Sequence, residues 1–117
     1  MTIVYRVQDS DGRGPWKPGF SHRWVEPRDD HENLIPWAAE FGRVDRKALT
    51  WEHLGSGCLE LTQLRRWFTQ SEYKSLLHYG YRAVRMEVDR ILGHSDKQCI
   101  FARLKPLKED AIEVELY

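Results

Sequence analysis

Between Tyr5 and Trp24 the chain reads YRVQDSDGRGPWKPGFSHRW, a stretch that neither a helix nor a strand can cross whole. It holds three glycines, two prolines, two tryptophans, one phenylalanine and four Lys or Arg residues. Gly12, Gly14 and Gly19 permit backbone angles closed to other residues, and Pro15 and Pro18 restrict the chain between them. Trp16, Phe20 and Trp24 are costly to leave in water, so the stretch is expected to be a shaped loop rather than a floppy linker. Long ordered loops in small proteins tend to carry function. The remainder is expected to be a scaffold holding this loop against a pocket.

The scaffold is read from periodicity. Residues 2–8 form a short strand, closed by the turn chemistry of Asp9–Gly14. Residues 26–35 are polar and irregular. Pro36 then opens a short helix, PWAAEFG, that Gly42 closes, with one further turn over 45–50. Residues 51–58 read as a short strand or extended segment in which Gly55 and Gly57 mark close approaches. A helix follows over 59–68. The run Thr69-Gln70-Ser71-Glu72 is a capping box that starts another, ended by Gly80. Residues 81–89 alternate as a strand, 89–96 form a turn, 97–104 form a central strand, and 111–116 form an edge strand with Glu113 and Glu115 outward.

The expectation is one α+β domain over residues 1–117: a small mixed, largely antiparallel twisted sheet with two or three helices. Its predicted core is Val4, Trp37, Phe41, Leu61, Leu64, Phe68, Leu76, Leu77, Val84, Met86, Val88, Ile100 and Phe101. A chain of 117 residues can build such a core without staples.

Composition removes several functional classes. With 18 Lys and Arg against 18 Asp and Glu, net charge is zero, which gives no support for non-specific nucleic-acid or membrane-surface binding. The Arg65-Arg66-Trp67 run is an aromatic-basic pattern suited to single strands, but Trp67 falls on the apolar face of its helix. The five histidines have neither zinc-protease nor finger spacing, so no metal is expected. No signal peptide or membrane helix is read, and the expected location is cytoplasmic. Cys58 and Cys99 have no CxxC partners and are expected to be buried thiols. Cys58 precedes a helix, where a thiol can be activated, although a cysteine among glycines is more often a small filler.

The residues that suggest binding are spread along the chain. Arg6 on the first strand offers a planar fork to a phosphate or ribose. Arg13, with the loop amides, can hold an anion, and Trp16 and Ser21 stand in the same loop. Ser56 lies on the middle strand, and Gln98, at the start of the central strand, can hydrogen-bond a ribose hydroxyl or a substrate amide.

Over most of its length the chain resembles a group of small uncharacterised bacterial and phage-borne proteins. The resemblance is carried by an opening YRV–D–GRGPW–PG–S run, a GC–L–L–WF run, a GY–V–V run and a closing Q–F–R–PL run. More distantly, the order of features resembles the ADP-ribosyltransferase fold, which has an Arg or His on its first strand, a Ser- or Tyr-bearing middle strand and an acidic residue on a late strand. That resemblance implies that Arg6 contacts NAD, that Ser56 takes the middle-strand role, and that Gln98 stands where the catalytic glutamate would. This chain has no Ser-Thr-Ser triplet, and its late strand begins KQC. A glutamine carries no charge to stabilise an oxocarbenium-like transition state. Either another acid, Glu87 or Asp89, takes that role, or the protein binds a nucleotide without turning it over. The alternative is a non-enzymatic phage or mobile-element protein that docks on a host partner through its aromatic loop.

Overall fold

The computed structural model describes residues 2–27 and 34–117, so most of the polar stretch read over 26–35 lies outside the described residues. Among the described residues, six strands form two sheets of three, each antiparallel throughout. In one, β1 (Thr2–Gln8) pairs with β3 (Arg82–Val88), which pairs with β6 (Ile112–Glu113). In the other, β5 (Cys99–Arg103) is central between β2 (His53–Gly57) and β4 (Arg90–His94). An isolated bridge links them, in which Tyr5 and Cys58 exchange two backbone hydrogen bonds, both 2.8 Å long, and the chain passes from β3 to β4 through Asp89, whose amide donates to Ala102 O at 3.2 Å. Three helices complete the α+β fold: α1 (Trp37–Phe41), α2 (Leu61–Trp67) and α3 (Gln70–His78).

The strands follow from their patterns. In β3, Val84, Met86 and Val88 are buried while Arg85 and Glu87 are exposed, the period-two alternation of a half-buried strand. In β5 all five residues are buried, as its continuous apolar centre requires. The largest core cluster gathers Trp24, Leu64, Trp67, Phe68, Leu76 and Tyr81 between the helices and the first sheet.

Three expectations need correction. Residues 89–96 are not a turn, because Arg90–His94 forms β4, with a bulge between Ile91 and Gly93 that breaks the alternation a strand would show. The closing strand is only two residues long: Ile112 is exposed, Val114 N bonds Ala83 O, and Leu116 turns into the core. Trp37, Phe41, Leu61 and Leu77 are only partly buried, whereas Trp24, Tyr81, Ala83, Leu116 and both cysteines are fully enclosed. The other nine predicted core residues are buried.

The capping box of α3 does more than start a helix. Thr69 Oγ1 accepts from Glu72 N at 3.1 Å, and Glu72 Oε1 accepts from Thr69 N at 2.9 Å. The other oxygen of Glu72, a residue with no exposed surface, accepts from Glu26 N at 2.9 Å. Thr69 and Ser71 hydroxyls both donate to the Glu26 carboxylate. The end of the opening loop is therefore pinned to the start of α3. Thr69→Ala is expected to cost about 1 kcal/mol of stability in urea unfolding, and Glu72→Ala more, because the second substitution also removes the partner of the part-buried Glu26 amide.

Candidate functional site

The opening loop is built by its own residues. Asp9 Oδ1 accepts from the amides of Asp11 and Arg13 at 2.9 and 3.0 Å, and Gly12 N donates to Asp9 O. Gly12 has φ +83°, and a Cβ there would lie 3.0 Å from Lys108 N, so no other residue serves this turn. Further on, Trp24 is 2% exposed and donates from Nε1 to Pro15 O. Trp16 packs edge-on against Trp24 at 4.6 Å between ring centres but keeps 46% of its surface exposed. Phe20 stacks on Tyr81. The aromatic content of the loop is thus divided: Trp24 anchors, Phe20 is half-buried, and Trp16 reaches the surface.

Below the loop, β1 and β2 diverge from their single bridge and leave a cavity of about 660 Å³. Five of the six residues singled out for ligand binding line it: Arg6, Arg13, Trp16, Ser56 and Gln98. They arrive from β1, the loop, β2 and the start of β5, elements up to 92 positions apart in sequence between Arg6 and Gln98. Ser21 is not among them, since its hydroxyl is spent on the Lys17 backbone, donating to the carbonyl and accepting from the amide, both at 3.0 Å. Glu87 and Asp89 are also elsewhere. Strand alternation puts Glu87 on the outer face of β3, both line a separate hollow with Lys105 and Arg103, and Asp89 Oδ2 accepts from Leu104 N. Among the described residues no acid lines the main cavity.

Arg6 sets the electrostatics. It is 8% exposed, with Nη1 donating to Ser56 O at 3.0 Å and Nη2 to Gly12 O at 3.2 Å. No described carboxylate pairs with it, and its Nε has no partner. Burial lowers its pKa to about 10, partly offset by the field of Asp9, so it stays protonated at neutral pH. A Cβ on Gly55 would lie 2.7 Å from Nη1, and only glycine there leaves room for the fork.

Gln98 is held as firmly. Its Nε2 donates to Ile35 O at 2.8 Å and to Glu40 Oε1 at 3.0 Å, so the segment around α1 is tied to β5 through this amide. Leu34, Pro36 and Trp37 of the same segment form a wall of the cavity. The contribution of this segment was not legible in the sequence; Glu40, in PWAAEFG, has no motif to mark it as a neighbour of a residue 58 positions away.

The cysteines are both buried and free. Desolvation pushes the Cys58 thiol well above its ordinary range and the Cys99 thiol up to about 12, with Gly57 and Arg6 acting against the second shift. Cys58 precedes α2 but its Sγ donates to Lys97 O, and it is packed filler rather than an activated nucleophile. Neither thiol is expected to react with a disulfide reagent at pH 8 until the protein is denatured. Both protons are held more tightly folded than unfolded, so stability is expected to fall as pH rises above about 9, where the unfolded thiols ionise first.

Among the described residues no three His, Cys, Asp or Glu side chains gather as a metal site, and no helix is long and apolar enough to cross a membrane. Residues 1–115 match the family described as bacteriophage T4 Y00F protein. The chain belongs to that Y00F family. The match spans the opening loop, both sheets and every residue lining the cavity, and it agrees with the resemblance to small phage-borne proteins. No curated protein and no solved structure matches the chain.

Proposed function

We propose that this Y00F-family protein binds a phosphorylated ribonucleotide of the NAD or ADP-ribose class in the cavity between the opening loop and β5. The observation that carries this reading is the buried Arg6 on the cavity wall, which feels the field of Asp9 but forms no ion pair with a described carboxylate. An enclosed cation is costly, and an anion against the cavity wall offsets that cost. Arg13 adds a second cation, and the rings of Trp16 and Trp37 give a planar base or nicotinamide a surface to lie on. NAD in particular is suggested by the ADP-ribosyltransferase resemblance, which gives Arg6 a contact with NAD, Ser56 the middle-strand role and Gln98 the place of the catalytic glutamate. With Gln98 where that family has its acid, and no described acid lining the cavity, we read the protein as a binder rather than a transferase.

The test is thermal shift and calorimetry with NAD and ADP-ribose. At tenfold excess over Kd, a ligand that binds only the folded state stabilises by about 1.4 kcal/mol, a rise of several degrees in Tm. Arg13→Ala is expected to weaken binding about tenfold without moving Tm of the free protein. If neither compound raises Tm at millimolar concentration, the reading fails. A second reading, docking on a host protein through the loop, then rests on Trp16, since Trp24 is committed to the core and Phe20 is half-buried.

A further inference from the structure

Gln98 sits where a binding site would need an unambiguous donor or acceptor, yet a primary amide can present either end. What surrounds it removes the ambiguity. Gln98 is 6% exposed, and its two Nε2 hydrogens have two acceptors at hydrogen-bonding distance, Ile35 O at 2.8 Å and Glu40 Oε1 at 3.0 Å. Turning the amide over would set its oxygen against a carbonyl and a carboxylate at once, a repulsive arrangement on both sides. Glu40 is itself fixed: the same Oε1 accepts from Ser95 Oγ at 2.9 Å, and Ser95 Oγ accepts in turn from Lys97 N at 3.1 Å in the turn that leads into β5. The carboxylate is thus a hub between α1 and the β4–β5 turn. Glu40 does not line the cavity, whereas Gln98 does.

We propose that Glu40 is a positioning residue that, with the Ile35 carbonyl, consumes both amide hydrogens of Gln98 and so leaves Oε1 as an acceptor, selecting ligands that present a hydroxyl donor at this wall of the cavity. The proposal rests on the nucleotide reading above and adds to it the polarity of one contact and the residue that sets it. In a nucleotide the matching donor is a ribose hydroxyl. A ligand lacking that hydroxyl leaves a buried acceptor without a partner, the kind of mismatch that costs about tenfold in affinity.

The experiment is calorimetric titration of the intact chain with NAD and with its 2′-deoxy form at each of the two riboses. The unaltered protein is expected to bind NAD about tenfold tighter than one of the two deoxy forms. In Glu40→Ala this preference is expected to shrink to within about twofold, while Glu40→Gln, whose Oε1 still accepts from Gln98, retains most of it. Gln98→Met, which removes the oxygen but keeps the length of the side chain, must abolish the preference. A purely structural role for Glu40 would lower Tm and weaken all three ligands alike, and that result overturns the proposal. So does equal affinity of the unaltered protein for all three sugars, or a preference untouched by Glu40→Ala. Absence of NAD binding by the unaltered protein overturns this proposal, and absence of ADP-ribose binding as well overturns the nucleotide reading with it, whereas NAD binding without discrimination overturns this one alone.

Discussion

Gly57→Ala is expected to destabilise the protein by about 3 kcal/mol and to lower its Tm by about 10 °C. A Cβ at this position would lie 2.6 Å from the Tyr5 carbonyl oxygen and 3.4 Å from Arg6 Cβ. The oxygen is backbone, and it accepts the Cys58 amide in the isolated bridge between β1 and the end of β2. It cannot swing aside as a side chain would. The sheets must separate, and the base of the cavity opens with them. Gly19→Ala is the control. Its φ is +78° but no atom stands within 4 Å of the added carbon, so only local backbone strain remains, about 1 kcal/mol. Urea unfolding of the two variants checks the contrast. Equal losses would mean that the bridge between the sheets is not where the cost of Gly57 lies.

Arg6→Met is expected to abolish nucleotide binding, lowering affinity by about two orders of magnitude, while changing stability by no more than about 1 kcal/mol. The two effects separate because the guanidinium is a poor structural element and a good ligand group. Its hydrogen bonds to Ser56 O and Gly12 O are each worth about 1 kcal/mol, and their loss is offset by removing a buried cation that no described carboxylate neutralises. Methionine fills a similar volume. Chemical denaturation and calorimetry on one preparation read both quantities. A loss of several kcal/mol in stability with binding intact would make Arg6 a structural strut and remove the basis of the proposed function.

Much of the scaffold was legible because its signals are local. The Thr69–Glu72 capping box needs four consecutive residues, and the alternation of Val84, Met86 and Val88 needs five. The close approaches at Gly55 and Gly57 were legible too, since two glycines in a strand ask what comes near. What failed were features in which a distant partner decides. Leu92 is buried because Arg90–His94 pairs with β5 across a bulge, and no alternation announces it. Leu116 reaches the core because the chain leaves β3 after two paired residues, although its own alternation continues. Glu87 met the chemical requirement for an acid but stands on the outer face of β3, at a different hollow from Arg6.

The same division holds at the site. The sequence by itself determined which residue types were available: an arginine on the first strand, a shaped aromatic loop, a glycine-flanked serine, and a glutamine at the start of the central strand. It determined these because turn chemistry, strand period and side-chain chemistry act over a few neighbouring residues. Only the tertiary structure decided which of them meet. It brought Arg6, Arg13, Trp16, Ser56 and Gln98 to one cavity, left Ser21 in its own turn, buried Trp24 and not Trp16, and set Glu40 against Gln98. The physical reason is that convergence depends on a bridge between two sheets and on hydrogen bonds that span tens of residues, and neither leaves a pattern along the chain.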